Sequence, residues 1–285
     1  MTTSTPQTLI QEHRELVSLP VIVTRLNEMI NDPACSAADI AETLGQDAAL
    51  AARLLKIVNS PFYGFPSRIE TISMAVTIVG TRQLRDLTMA TLVVNKFNRL
   101  PEELVTPQHF WRHNVAVACA ARTLAERLQI THTERLFITG LLHDIGKLVM
   151  YLTRPETSAR LLTRSREENQ ALGKLEHNEF GFDHAELGAE LLRQWHLPES
   201  LVEPVARHHQ PALATQYQRE AAIIHLANAI GNTIESILTA DDDLPIDTRV
   251  WQMLDLSPGE LDELTAKSDL TLKHALQVMF VEIAA

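Results

Sequence analysis

Along the chain, short stretches with apolar residues every three or four positions alternate with polar breaks rich in Pro, Ser, Thr and Asp. That recurrence marks the buried face of a helix. "SAADIAETLG" opens with Ser36 and Asp39 at capping-box spacing, and Gly45 stands where a C-cap would close it. In the next segment Leu50, Leu54, Leu55 and Val58 share one face, and Pro61 ends it. Asn59 and Ser60 are placed to cap that end, with Phe62 and Tyr63 burying the corner. "TISMAVTIVG" and "TRQLRDLTMATLVVNKF" read as two further helices divided at Gly80-Thr81. Residues 1–100 thus form a first bundle of five or so short helices. "NRLPEELVTPQ", polar and carrying two prolines, reads as the junction, with little freedom at residues 97–106.

Thr106 before Pro107 is a helix start. The long helix that follows aligns His113 with Ala116, Val117, Ala120 and Leu124 on one face. "GLLHDIGKLVM" reads as an apolar helix carrying His143 and Asp144 within it, and residues 158–180 as one polar helix. Asp183 with Glu186 caps a helix opened by His184, and "ESLVEPVARHH" ends in His208-His209. "EAAIIHLANAIGNTIESIL" completes a second bundle over residues 106–240. After a loop at "ADDDLPIDT", the capping box of Ser257 and Glu260 begins a helical extension within 241–285. The pattern predicts an all-α protein of two packed helical bundles.

Composition agrees: 45% of the 285 residues are hydrophobic, enough for a sizeable core, and only 10 are glycine. A net charge of −11 makes nucleic acid an unfavourable partner. The glycine-centred rhythm of "SAADIAETLGQDAALAARLLKIV" resembles a helix-turn-helix, but Asp47, Ala48 and Ala49 occupy the end that would read bases. Two cysteines, Cys35 and Cys119, give no disulfide framework and are expected to be buried thiols. The N-terminus lacks a signal-peptide pattern, and no run approaches the roughly 18 apolar residues of a membrane span. The expected location is the cytoplasm, away from membranes.

Candidate chemistry gathers in the second bundle. A carboxylate amid Leu141, Leu142, Ile145 and Leu148 is costly unless paired, hydrogen-bonded or coordinated. Lys147, three residues after Asp144, can pair with it across one turn. Imidazoles converging on such a carboxylate either form a polar network or make a site for a borderline transition metal: Fe, Ni, Mn or Zn.

The order of these residues is distinctive. A lone His113, then "HDIGK", then His184, then "HH" on successive helices resembles the HD superfamily of metal-dependent phosphohydrolases. Leu19-Pro20, the turn from Asp47 to Leu50, Asn59-Ser60 and Gly80 add a resemblance to the HDOD family over about residues 10–235. That resemblance implies an HD-like second bundle and a regulatory module in bacterial signal transduction that works by protein–protein contacts with signalling partners. It also places His113, His143, Asp144, His184, His208 and His209 on the metal-ligand positions of the related HD-GYP phosphodiesterases. Asn228 stands where HD enzymes carry a final aspartate, and "QPALATQYQRE" lacks the glycine-rich loop and Tyr-Pro of the HD-GYP enzymes. The resemblance therefore favours a regulatory module without catalysis, holding at most one metal. The alternative is a phosphohydrolase or phosphodiesterase acting on a nucleotide or cyclic nucleotide, with His143 and Asp144 as its catalytic pair.

Overall fold

The computed structural model describes residues 5–60, 63–97, 104–131, 133–235 and 246–279. Every regular element among them is a helix. The chain divides into two compact units, one of Leu19–Lys96 with Leu270–Ala285, the other of Met1–Ser18 with Phe97–Asp269.

The smaller unit is built from α3 (Val21–Asn31), α4 (Ala37–Gly45), α5 (Ala48–Val58), α6 (Ile72–Val79) and α7 (Thr81–Lys96). Ser36 and Asp39 close the anticipated capping box, and the Asp47 carboxylate accepts from Leu50 N at 3.0 Å. Gly45 is not a left-handed cap. It is the last residue of α4, which ends at Gln46 in right-handed geometry, so no positive φ is needed there. Gly80 does divide α6 from α7: at φ +95° and ψ 151° it holds a conformation open to glycine and little else. The leucines of α5 pack inward on Leu26, Ile40, Leu44 and Leu84, which accounts for the helix-turn-helix rhythm as core packing. Asn59 caps α5 through Nδ2 to Leu55 O at 2.8 Å, and Ser60 Oγ donates to Ile57 O. Phe62 lies outside the described residues, as do residues 98–103 of the expected junction and 240–245 of the expected loop. Cys119 is a buried thiol, but Cys35 is only half-buried because it sits just before the exposed cap of α4.

The larger unit begins with α1 (Pro6–Glu12) and α2 (Arg14–Val17). It continues with α8 (Pro107–Arg127), α9 (Thr133–Leu142), α10 (Ile145–Thr153), α11 (Pro155–Glu168), α12 (Leu172–Phe180), α13 (His184–Gln194), α14 (Glu199–Arg207), α15 (Gln218–Ile234) and α16 (Thr248–Leu254). The last helix, α17 (Leu261–Met279), starts in this unit and ends in the other. Leu9 and Ile10 are buried, and Trp195 Nε1 donates to Val17 O at 3.0 Å, so the first helices belong to this bundle's packing. Val117, Leu124 and Leu136 meet Ile223, Leu226 and Ile230, and Val250 and Leu254 extend the same core.

Three further expectations are corrected. The polar segment 158–180 is two helices, because Asn169 turns left-handed at φ 49° and bonds back to Ser165 O. His143 and Asp144 are not inside a helix; they form the two-residue break between α9 and α10. Thr133–Thr153, which spans both helices, is long and apolar enough to cross a membrane by composition. It nevertheless lies almost wholly inside the bundle.

Candidate metal centre

The six sequence-identified residues converge. His113 comes from α8, His143 and Asp144 from the α9–α10 break, His184 from the first position of α13, and His208 and His209 from the end of α14. Ligand atoms of His113, His143 and Asp144 lie within 4.8 Å of one another, as do those of His184, His208 and His209. Asp144 joins the two groups. Its Oδ2 is 3.4 Å from His143 Nε2 and 4.0 Å from His113 Nε2; its Oδ1 is 3.3 Å from His184 Nε2 and 3.9 Å from His208 Nε2. Asp144 is 1% exposed and His143 and His184 are 0% exposed, while His209 is half-buried.

The convergence depends on one close helix crossing. A Cβ on Gly146 would stand 1.9 Å from His184 O and 2.7 Å from Gly188 N. α10 and α13 therefore touch backbone to backbone, and that approach brings His184 to Asp144. The capping box of Asp183 and Glu186 fixes where α13, and with it His184, begins.

Backbone carbonyls fix the tautomers. His143 Nδ1 donates to Gly140 O at 2.7 Å, His208 Nδ1 to Val205 O at 2.7 Å, and His113 Nδ1 to Glu235 O at 3.1 Å. In a neutral ring the other nitrogen, Nε2, then carries a lone pair. For His143 and His208 that nitrogen is buried with no hydrogen-bond partner, and it faces the Asp144 carboxylate, whose Oδ2 is paired with the Lys147 ammonium. Lone pairs facing carboxylate oxygens across 3.4 to 4.0 Å repel unless a cation stands among them. The arrangement, with each imidazole oriented by an outer partner, is that of a metal-ready site.

Charge sharpens the picture. Burial pushes the His143 imidazole down to about 4, and holds His208 and His209 well below the usual range. Burial also opposes a charge on His184, but Glu176 and Asp144 outweigh it and raise that imidazole to about 10. Metal-free, His184 is an imidazolium that donates through Nδ1 to Glu176 Oε2 at 2.5 Å. His209 Nε2, 2.8 Å from His184 Nε2, accepts from it. Burial penalises the Asp144 carboxylate, yet His143, Lys147 and His184 hold its pKa well below the ordinary value. Lys147 Nζ is 2.8 Å from Asp144 Oδ2, the pairing expected from spacing.

Asn228 lies on α15 one turn past His225, with Oδ1 buried and unbonded. Among the described residues no hydrogen bond joins it to the six. Sequence reasoning missed Glu176, which accepts from both Nδ1 and the backbone N of His184, at 2.5 and 2.9 Å. Its signal was a carboxylate four residues after Leu172, on the face that Leu172 and Leu175 bury. It also missed His225, whose Nδ1 donates to His208 O at 2.7 Å, and Glu235, whose carbonyl orients His113.

Comparison with known proteins yields a family match: the model of the HDOD domain fits residues 16–211. An HDOD domain protein of unknown function from Geobacter sulfurreducens is 26% identical at a TM-score of 0.67, over 97% of this chain and 95% of its own. A candidate phosphohydrolase from Shewanella amazonensis is also 26% identical, at a TM-score of 0.70, covering 93% of this chain and 97% of its own. An uncharacterized protein of Treponema pallidum is 29% identical over 219 residues. The match takes in 75% of this chain but spans only 42% of that relative's length.

Proposed function

The chain belongs to the HDOD domain family, and from that premise we propose that it is a regulatory module acting by contact with signalling proteins. Its His/Asp cluster holds a single transition metal as a structural element and turns over no substrate. The observation that carries this reading is burial: Asp144, His143 and His184 are at most 1% exposed. A phosphoryl group would have to reach ligands that solvent does not.

The donor set suits one borderline cation, with His113, His143, Asp144, His184, His208 and His209 as its ligands. When bound in an open site, such a metal polarises a phosphoryl oxygen and acidifies water. Here the chain's own groups oppose that use. Asp144 is the only carboxylate among the six and is already paired with the Lys147 ammonium, which leaves little negative charge for a second dication. Asn228, in the place of a final aspartate, adds none. The three carbonyl-anchored imidazoles and Glu176 hold the rings in place, which serves rigidity.

The phosphohydrolase reading is favoured by a different observation, the buried, unbonded His143 Nε2 and His208 Nε2. Turnover assays decide between the two. Mono- and dinucleotides, cyclic dinucleotides and bis(p-nitrophenyl) phosphate, assayed with added Mn²⁺, Fe²⁺, Ni²⁺ or Zn²⁺, are expected to give no hydrolysis above the His143→Ala/Asp144→Ala variant. Metal-dependent turnover by the unmodified protein, lost in that variant, would replace the regulatory reading with the enzymatic one.

A further inference from the structure

A groove of about 940 Å³ lies in the smaller unit, between the last two turns of α5 and residues 65–70 ahead of α6. Its lining is mixed: half-buried Leu55 and Phe65 and exposed Pro66 supply an apolar patch, and Asn59, Ser60 and Ser67 supply uncharged polar groups. Asn59 and Ser60 are already engaged. Asn59 Nδ2 donates to Leu55 O and to Ile69 O, Asn59 Oδ1 accepts from Ile69 N at 2.7 Å, and Ser60 Oγ donates to Ile57 O. Asn59 thus ties the two walls together and fixes the groove's width. The charged groups left for a ligand are Lys56 and Arg68 against a single carboxylate, Glu70. All three are exposed and make no ion pair among the described residues.

We propose that this groove docks an acidic segment of a partner protein carrying one bulky apolar side chain. Four features support that occupant. Leu55, Phe65 and Pro66 give the groove an apolar patch, which suits a hydrocarbon or aromatic side chain. The rim carries two unpaired cations in a chain of net charge −11, a local reversal of sign that selects a negative partner. The charged rim is exposed, so the groove accepts a chain laid across it, whereas a small-molecule site encloses most of its ligand. The walls are pre-fixed, so docking costs little reorganisation. The proposal rests on the protein-contact reading above and gives it a place on the surface.

The test pans a random dodecapeptide display library on the full-length protein, then synthesises the selected peptides with a fluorescent label. Selected peptides are expected to place Asp or Glu beside Leu, Phe or Trp. Their affinity by anisotropy should fall about tenfold or more in Lys56→Glu/Arg68→Glu, about 1.4 kcal/mol, and should weaken with salt. Both residues are exposed, so the variant should keep the parent's circular dichroism and melting curve. Selection of neutral or basic peptides, or acidic peptides bound equally by the variant, would overturn the proposal. So would displacement by nucleotides in place of any peptide preference. Hydrolysis by the unmodified protein would remove the regulatory reading while leaving a groove result intact; an empty groove would leave the buried site's reading standing.

Discussion

Gly146→Ala is expected to be the most damaging single substitution in the larger bundle. The new Cβ would land 1.9 Å from His184 O and 2.9 Å from His184 C, and backbone atoms cannot rotate away as a side chain can. Either α10 and α13 separate or one of them bends. Overpacking a fixed core costs roughly 1–3 kcal/mol and sometimes more. A backbone clash this close should reach the upper end of that range or exceed it. The same separation draws His184 away from Asp144, so metal content should fall together with stability. Urea denaturation showing a loss below about 1 kcal/mol, with metal retained, would mean that the close crossing does not set the site.

The second large effect is pH-dependent and concerns protein stripped of metal. His143 is neutral in the fold, at about 4, against an ordinary value of 6.5. A group with a depressed imidazole value leaves stability intact above pH 6.5 and removes it as pH falls from 6.5 toward 4, because the unfolded chain takes the proton first. His143 alone then removes about 3 kcal/mol by pH 4, and His208 and His209, shifted the same way, add to it. His184 works in the opposite sense. Raised to about 10, it contributes fully below pH 6.5 and loses its contribution as pH rises toward 10. Asp144, held well below its usual value, costs stability only at still lower pH. Stripped protein should therefore melt highest near pH 6.5 and lose stability on both sides, more steeply on the acid side. A melting temperature unchanged between pH 6.5 and 4.5 would show that these imidazoles are not buried neutral.

The features legible in the sequence are the ones whose cause is local. The capping boxes at Ser36, Asp183 and Ser257 form where three-residue spacing put them. The split at Gly80 follows from one residue's freedom at positive φ. The histidines were legible as candidates because each lies on or beside a helix whose apolar face was itself readable, and the order of the motifs completed the set. The break at His143-Asp144 was not legible, since neither proline nor glycine stands between Leu142 and Ile145 to announce it. Glu176 was lost inside a segment read as a single polar helix. Its burial depends on the turn at Asn169 and on the left-handed Gly181 that leads the chain back toward α13. The carbonyls of Gly140, Val205 and Glu235, which set the tautomers, carry no sequence signal at all. The packing of α1 and α2 with the larger bundle rests on contacts such as Trp195 with Val17, 178 positions apart.

Elemental analysis of protein purified without chelator tests the central claim most directly. The site offers five imidazoles and one carboxylate, a donor set that prefers borderline transition metals over the oxygen-seeking Mg²⁺ and Ca²⁺. The account predicts iron, nickel, manganese or zinc at a substantial fraction of one per chain and no more than one. It also predicts that this metal disappears in His143→Ala/Asp144→Ala. Protein without transition metal, or metal content that ignores the double substitution, would contradict it and leave the histidines as a buried polar network.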